Sequence, residues 1–193
     1  IYSYSNKNNG LYNTGTMHIT GKVKSGFSKF TDNTDYALAA NTSSAARNAG
    51  GTLNISARVY FYGGDKSALT NSGTCTASEG WYVSKGATDC VYNNNSLTMS
   101  DALVLGAAAN GIRNEANDNT KVNVTATLTD TEVRGQYTVG DTAWKADNAT
   151  HNFTTGINNG AGTMTVSGGV VRNASGNGIA NSSGATVNIG AVY

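Results

Sequence analysis

Residues 158–189, NNGAGTMTVSGGVVRNASGNGIANSSGATVNI, hold the pattern that decides the fold. Twice in this stretch an asparagine is followed by a short turn of small residues and then by a run of Thr, apolar, polar, apolar: NNGAGTMTV and ANSSGATVNI. Outward from there the unit returns as YNTGTMHI, RNAGGTLNI, TNSGTCTA, YNNNSLTM and RNEANDNTKVNV, seven copies in all. The leading asparagines are Asn13, Asn48, Asn71, Asn93, Asn114, Asn158 and Asn181. Their gaps of 35, 23, 22, 21, 44 and 23 residues give a period of about 22, with the 44 read as two periods. A β-rich unit recurring at that interval reads as a solenoid, each copy one turn of a coil.

Within each copy the alternation has the period of two of a half-buried strand. Inward pairs are Met17/Ile19, Leu53/Ile55, Cys75/Ala77, Leu97/Met99, Val122/Val124, Met164/Val166 and Val187/Ile189. Their outward partners are Thr16/His18, Thr52/Asn54, Thr74/Thr76, Ser96/Thr98, Lys121/Asn123, Thr163/Thr165 and Thr186/Asn188. A second apolar element precedes each turn, at Leu11, Ala46, Leu69, Val91, Ile112, Ile157 and Ile179. A third follows the main strand, as in Val59–Phe61, Trp81–Val83, Leu103–Leu105 and Val170–Val171. Three short strands per 22 residues predict an all-β, three-sided parallel β-helix of roughly eight turns, one domain over residues 1–193. The period breaks twice, which predicts loop insertions near residues 28–46 and 136–152.

The asparagines have a structural task in this scheme. A sharp bend between strands needs a residue that tolerates left-handed backbone angles, and Asn and Gly do so best. Asparagines one turn apart also exchange side-chain hydrogen bonds, which satisfies groups that would otherwise be buried alone.

Composition narrows the function. There are 24 Gly, no Pro and only 13% charged residues, with a net charge of +1. Nucleic-acid binding rests on Lys and Arg contacts to phosphate, and the densest basic group is only Lys22, Lys24 and Lys29. No run approaches the roughly 18 apolar residues that span a bilayer, so no membrane insertion by this segment is expected. The Tyr/Asn-rich start and strand-like end lead to the expectation of a piece of a longer solenoid, with targeting signals elsewhere. Cys75 and Cys90 have no CxxC spacing and no neighbouring His, so no zinc site is expected. An even cysteine count in such a β chain suits an oxidising compartment and predicts a Cys75–Cys90 disulfide, worth about 3 kcal/mol for a loop of that length.

Catalytic chemistry is poorly provided for. Glycoside hydrolysis needs two carboxylates facing across a cleft, and the nearest candidates, Asp130 and Glu132, lie in TLTDTEVRG without a further acid or His. Asp141 and Asp147 lie in the second insertion, His18 and His151 are solitary, and no calcium or nucleotide motif occurs. No enzyme, metal or cofactor is expected. The outward column is the better candidate for function, above all Thr52, Asn54, Thr74, Thr76, Thr98, Asn123, Thr163, Thr165, Thr186 and Asn188. An uncharged face of spaced hydroxyls and amides can bond to a like face, a glycan or ordered water. The aromatic runs Tyr60–Tyr62 and Trp81–Tyr82 bury about half their rings by alternation, and the other half form a candidate sugar-stacking strip.

Residues 156–193, GINNGAGTMTVSGGVVRNASG followed by NGIANSSGATVNIGAVY, resemble the passenger domains of bacterial autotransporter adhesins of type V secretion. The likeness lies in repeat style and composition and extends over about Asn8–Tyr62 and Ser67–Tyr193. The resemblance implies a right-handed β-helix displayed at the bacterial outer membrane or secreted, acting in host or surface adhesion, self-association or biofilm formation. Its partners would be a second copy or a host surface protein or glycan, and the family's Asn/Thr ladders correspond to the outward column. Phage tailspikes and glycan-acting β-helix enzymes share the predicted fold. A purely structural stalk remains a further reading.

Overall fold

The computed structural model describes residues 2–4, 8–27, 43–63, 66–84, 89–106, 109–116, 124–135, 153–172 and 174–191. Of the two expected insertions, only residues 43–46 are among them, and Ala45 and Ala46 belong to the buried core rather than to a loop. The described residues form strands, turns and bends, without helix.

In chain order the strands begin β1 (Tyr2–Tyr4), β2 (Leu11–Asn13), β3 (Thr16–Ile19), β4 (Val23–Phe27), β5 (Ala46–Asn48) and β6 (Thr52–Ile55). They continue as β7 (Val59–Tyr62), β8 (Leu69–Asn71), β9 (Thr74–Ser84), β10 (Val91–Asn93), β11 (Ser96–Gly106), β12 (Asn110–Asn114) and β13 (Thr125–Thr129). The last are β14 (Glu132–Arg134), β15 (Phe153–Asn159), β16 (Thr163–Ser167), β17 (Val170–Arg172), β18 (Ala174–Asn181) and β19 (Thr186–Ile189).

Every strand pair is parallel, and the strands fall into two hydrogen-bonded sheets of twelve and seven. The smaller sheet, here the Asn row, stacks β2, β5, β8, β10, β12, β15 and β18. The larger holds two rows. The Thr row runs β3, β6, the first half of β9, the first half of β11, β13, β16 and β19. The aromatic row runs β1, β4, β7, the second halves of β9 and β11, β14 and β17. Parallel strands in stacked sheets, with seven in each row among the described residues, are consistent with a β-helix.

The core is assembled from the inward positions of all three rows. Leu53, Leu97, Met99, Leu128 and Met164 come from the Thr row, and Leu69, Val91, Ile112 and Ile157 from the Asn row. Val59, Phe61, Tyr82, Val104 and Val133 come from the aromatic row, with Phe61 and Tyr82 packed edge-to-face at 5.7 Å. Alternation explains the selection, because each strand lends every second side chain to one interior.

The corner between the Thr and aromatic rows is made by residues in left-handed conformation. Glu79, Asp101 and Asp130 have φ of 57°, 51° and 47°, and Gly168 follows at 69°. Each stands one residue after the stacked Ser78, Ser100, Thr129 and Ser167. The sharp bend lets β9 and β11 each serve two rows as one strand, paired with each other on both sides of Glu79 and Asp101.

One register differs from expectation. The sequence run VNVTATLT alternates without interruption from Val122 to Thr129, so parity alone leaves open which four residues enter the row. Lys121, Val122 and Asn123 lie outside the described residues, and the row is filled instead by Thr125–Thr129, with Ser96 facing Thr125 and Thr98 facing Thr127. The corner fixes the choice. Asp101 lies five residues after Ser96, and Asp130 lies five after Thr125.

Candidate functional site

The asparagines that open the motif form a continuous ladder inside the corner between the Asn and Thr rows. Asn13 donates through Nδ2 to Asn48 Oδ1 at 2.8 Å, Asn48 to Asn71 at 2.8 Å, and Asn71 to Asn93 at 2.7 Å. Asn93 donates to Asn114 at 2.6 Å, Asn114 to Asn159 at 2.8 Å, and Asn159 to Asn181 at 2.9 Å. Asn159, not Asn158, is therefore the ladder residue. Asn158 sits one position earlier on β15, half-buried and in register with Arg113 and Ala180, while Ile157 and Asn159 point inward. The direct Asn114–Asn159 bond also shows that no motif copy is missing in the long gap, which is one step with an insertion.

The Nδ2 groups do more than join neighbours. Asn71 Nδ2 also donates to Gly73 O at 2.9 Å and Ser96 O at 2.8 Å, tying its own turn to the next strand. The glycines after the asparagines follow from the same crowding. A Cβ on Gly73 would overlap the Gly51 carbonyl oxygen, and one on Gly51 would overlap that of Gly15.

The Thr row carries the candidate site on its outer side. Its first column is Thr16, Thr52, Thr74, Ser96, Thr125, Thr163 and Thr186. Its second is His18, Asn54, Thr76, Thr98, Thr127, Thr165 and Asn188. Parallel pairing sets neighbours in a column about 4.8 Å apart, and columns two residues apart stand about 6.6 Å from one another. Thr74, Thr76, Thr98, Thr125, Thr127, Thr163, Thr186 and Asn188 are exposed, whereas Thr52, Asn54 and Thr165 are half-buried. Of the expected face residues only Asn123 lies outside the described ones. Thr125 and Thr127 hold the two columns at that level, so no lysine interrupts them.

A third column went unrecognised in the sequence. Ser78, Ser100, Thr129 and Ser167 are in register beside the other two. The signal was present, since TCTAS, SLTMS, TATLT and TMTVS each end on a hydroxyl residue, but the motif had been closed after four residues. Side chains within the face touch lightly, Thr125 Oγ1 donating to Ser96 Oγ at 3.5 Å and Asn54 Nδ2 lying 3.4 Å from His18 Nδ1. His18 is the one titratable side chain in these columns.

The expected disulfide is absent. Cys75 and Cys90 are free thiols, buried to 1% and 0% exposure. Cys75 points inward from the Thr row, between Leu53 and Leu97. Cys90 precedes the Asn row, and its thiol donates to the backbone oxygens of Tyr82 at 3.2 Å and Leu105 at 3.6 Å. Burial pushes the Cys75 thiol up to about 12 and Cys90 higher still, so neither is a reactive thiolate.

The acidic pair is divided between two tasks. Asp130 forms the left-handed corner, and the Glu132 carboxylate accepts from Arg172 Nε at 3.0 Å. Asp141, Asp147 and His151 lie outside the described residues. Among the described residues no three His, Cys, Asp or Glu side chains gather as metal ligands. Tyr60 and Trp81 face outward, half-buried, with ring centroids 5.6 Å apart and Lys24 Nζ 5.5 Å from the Tyr60 ring. Phe61, Tyr62 and Tyr82 are buried, which leaves two rings of these runs, not a strip, at the surface.

Comparison with protein-family models, with curated proteins and with solved structures finds no match for the chain.

Proposed function

We propose that this chain is part of a bacterial surface adhesin, a right-handed three-sided β-helix of seven turns of about 22 residues, and that it associates with a second copy through the Thr row. Right-handedness follows the general preference of parallel strand connections. The observation that carries the reading is the lattice of hydroxyls and amides, with His18 as its one imidazole, in register over seven strands.

A hydroxyl both donates and accepts, so a face made of them is complementary to itself. The periodicity sharpens this. A surface with the same strand repeat keeps every contact in step, and a second copy supplies that repeat without adjustment. Each bond is worth only about 1 kcal/mol, so one or two are insufficient and a commensurate array is needed. Display on a cell surface converts many such weak faces into adhesion through multivalency. The resemblance to autotransporter passengers supports the same location and role.

The test is aggregation of cells displaying the chain. The triple variant Thr98→Lys, Thr127→Lys, Thr165→Lys places like charges along the face and should abolish clumping. Clumping at wild-type level, with the variant displayed in equal amount, would sink the side-face reading. Clumping lost only on adding free glycan would point to a sugar partner instead.

A further inference from the structure

Both cysteines lie in interior levels of the stack, in positions packed too closely for anything larger. Cys75 stands in the inward column of the Thr row, between Leu53 and Leu97. The wholly buried Tyr82 is its neighbour across the core. Burial lifts the Tyr82 hydroxyl well above its usual value, and Cys75 adds to the effect. The small thiol is thus set against a large ring that already fills the space.

Cys90 occupies a column of smaller residues still. One position before the paired Ala46, Leu69, Val91 and Ile112 stand Ala45, Ala68, Cys90 and Gly111. A Cβ on Gly111 would overlap the Gly156 oxygen and the Val133 side chain. The Cys90 thiol itself is held by the backbone oxygens of Tyr82 and Leu105.

The backbone keeps the two residues apart. Ala68 N donates to the Cys90 oxygen at 2.8 Å, which fixes Cys90 one level from Ala68. From Ala68 the chain runs along the Asn row to Asn71, turns, and then reaches Cys75 in the Thr row. Each leg is about 10 Å long at about 3.3 Å per residue, so with three rows enclosing one core their far ends stand about 10 Å apart. A disulfide needs Cα atoms within about 7 Å of each other.

The unfolded chain has no such barrier, because only 15 positions separate the two cysteines and a short loop closes at little entropic cost. We infer that folding and thiol oxidation exclude each other: the chain folds only while Cys75 and Cys90 are reduced, and a Cys75–Cys90 disulfide formed beforehand holds it unfolded. The oxidant is a low-molecular-weight disulfide such as oxidised glutathione. In the unfolded chain the Cys75 thiolate attacks it, forming a mixed disulfide and releasing one glutathione thiolate. The Cys90 thiolate then attacks Cys75 Sγ, closing the loop and releasing the second. Two cysteine thiols are oxidised, one glutathione disulfide is reduced to two thiols, and the two cysteine protons pass to the departing thiolates. The cross-link removes β9 and β10 from the middle of the stack, where each level depends on its neighbours. Once the chain is folded, 1% and 0% exposure protect the same thiols. The device is separate from the side-face association.

Refolding of the 193-residue chain from urea tests it, read by far-ultraviolet circular dichroism and by thiol titration. Reduced chain should gain the β spectrum on dilution. Chain first oxidised in urea by glutathione disulfide should not, and should gain it when dithiothreitol is added. Oxidised glutathione should consume the thiols of the folded chain at least about 100-fold more slowly than those of the unfolded chain, since attack waits for interior levels to open. The double variant Cys75→Ala, Cys90→Ala should fold with or without oxidant. Should that variant fail to fold at all, the wild-type comparison alone decides. Reduced and oxidised wild type with the same spectrum overturn the inference. So do folded-chain thiols consumed at the unfolded rate, or a double variant that folds only under reducing conditions.

Discussion

At the residue scale, the asparagine ladder concentrates more stability per side chain than any other repeated feature. Asn71 is fully buried, its two Nδ2 hydrogens are shared among Gly73 O, Asn93 Oδ1 and Ser96 O, and its Oδ1 accepts from Asn48 Nδ2 and Gly73 N. Removing it strips Gly73 N, Gly73 O and Ser96 O of their bonds to this side chain, and leaves Asn93 Oδ1 with only the 3.4 Å bond from Asn95 N. An unsatisfied buried polar group costs about 1–3 kcal/mol, so Asn71→Ala should destabilise by about 3 kcal/mol or more. Asn158→Ala, one position from the ladder and outward-facing, should stay within about 0.5 kcal/mol. Urea unfolding of the two variants checks this, and equal costs would remove the ladder's special role. The contrast also marks the limit of sequence reading. In the pair Asn158–Asn159 both residues suit a turn, and only the inward direction of Ile157 decides between them.

At the element scale, the decisive device is the left-handed corner inside β9 and β11. Glycine takes that conformation at no steric cost, whereas other L-residues lose about 1–2 kcal/mol there. Glu79 has φ of 57° and only an exposed ion pair with Arg58, 3.7 Å away, to offset it. Such pairs contribute about 0–1 kcal/mol. Glu79→Gly should therefore stabilise the fold by roughly 0.5–1 kcal/mol once the extra freedom of unfolded glycine is deducted. A lowered melting temperature in thermal unfolding would show instead that the Glu79–Arg58 pair governs the corner. Strand alternation was plain in the sequence because TMTV and TLNI admit one arrangement on a half-buried surface. The corner was hidden because glutamate and aspartate are common solvent-facing residues and give no sign of positive φ. The fifth Thr-row strand was misplaced for the same reason, since its position depends on Asp130 stacking after Asp101, not on its own alternation. The disulfide failed as an expectation because cysteine count says nothing about placement: Cys75 lies between Leu53 and Leu97 in the Thr row, and the Cys90 thiol donates to the backbone oxygens of Tyr82 and Leu105.

At the scale of the whole molecule, each level touches only its neighbours, so stability varies along the axis. Interior levels are covered on two sides and end levels on one. The amides of Ser96 and Thr125 donate to the preceding level at 3.2 and 2.8 Å, and those of Thr186 and Gly190 do so at 2.9 and 2.7 Å. The bonds are alike in length, but β18 and β19 are largely exposed while β9 and β11 bury most inward positions completely. Local opening at the end should therefore be easier by about 2–3 kcal/mol. Native-state hydrogen exchange of dilute, monomeric chain should then show Thr186 and Gly190 exchanging roughly 100-fold faster than Ser96 and Thr125. Equal rates would mean that all seven levels open together.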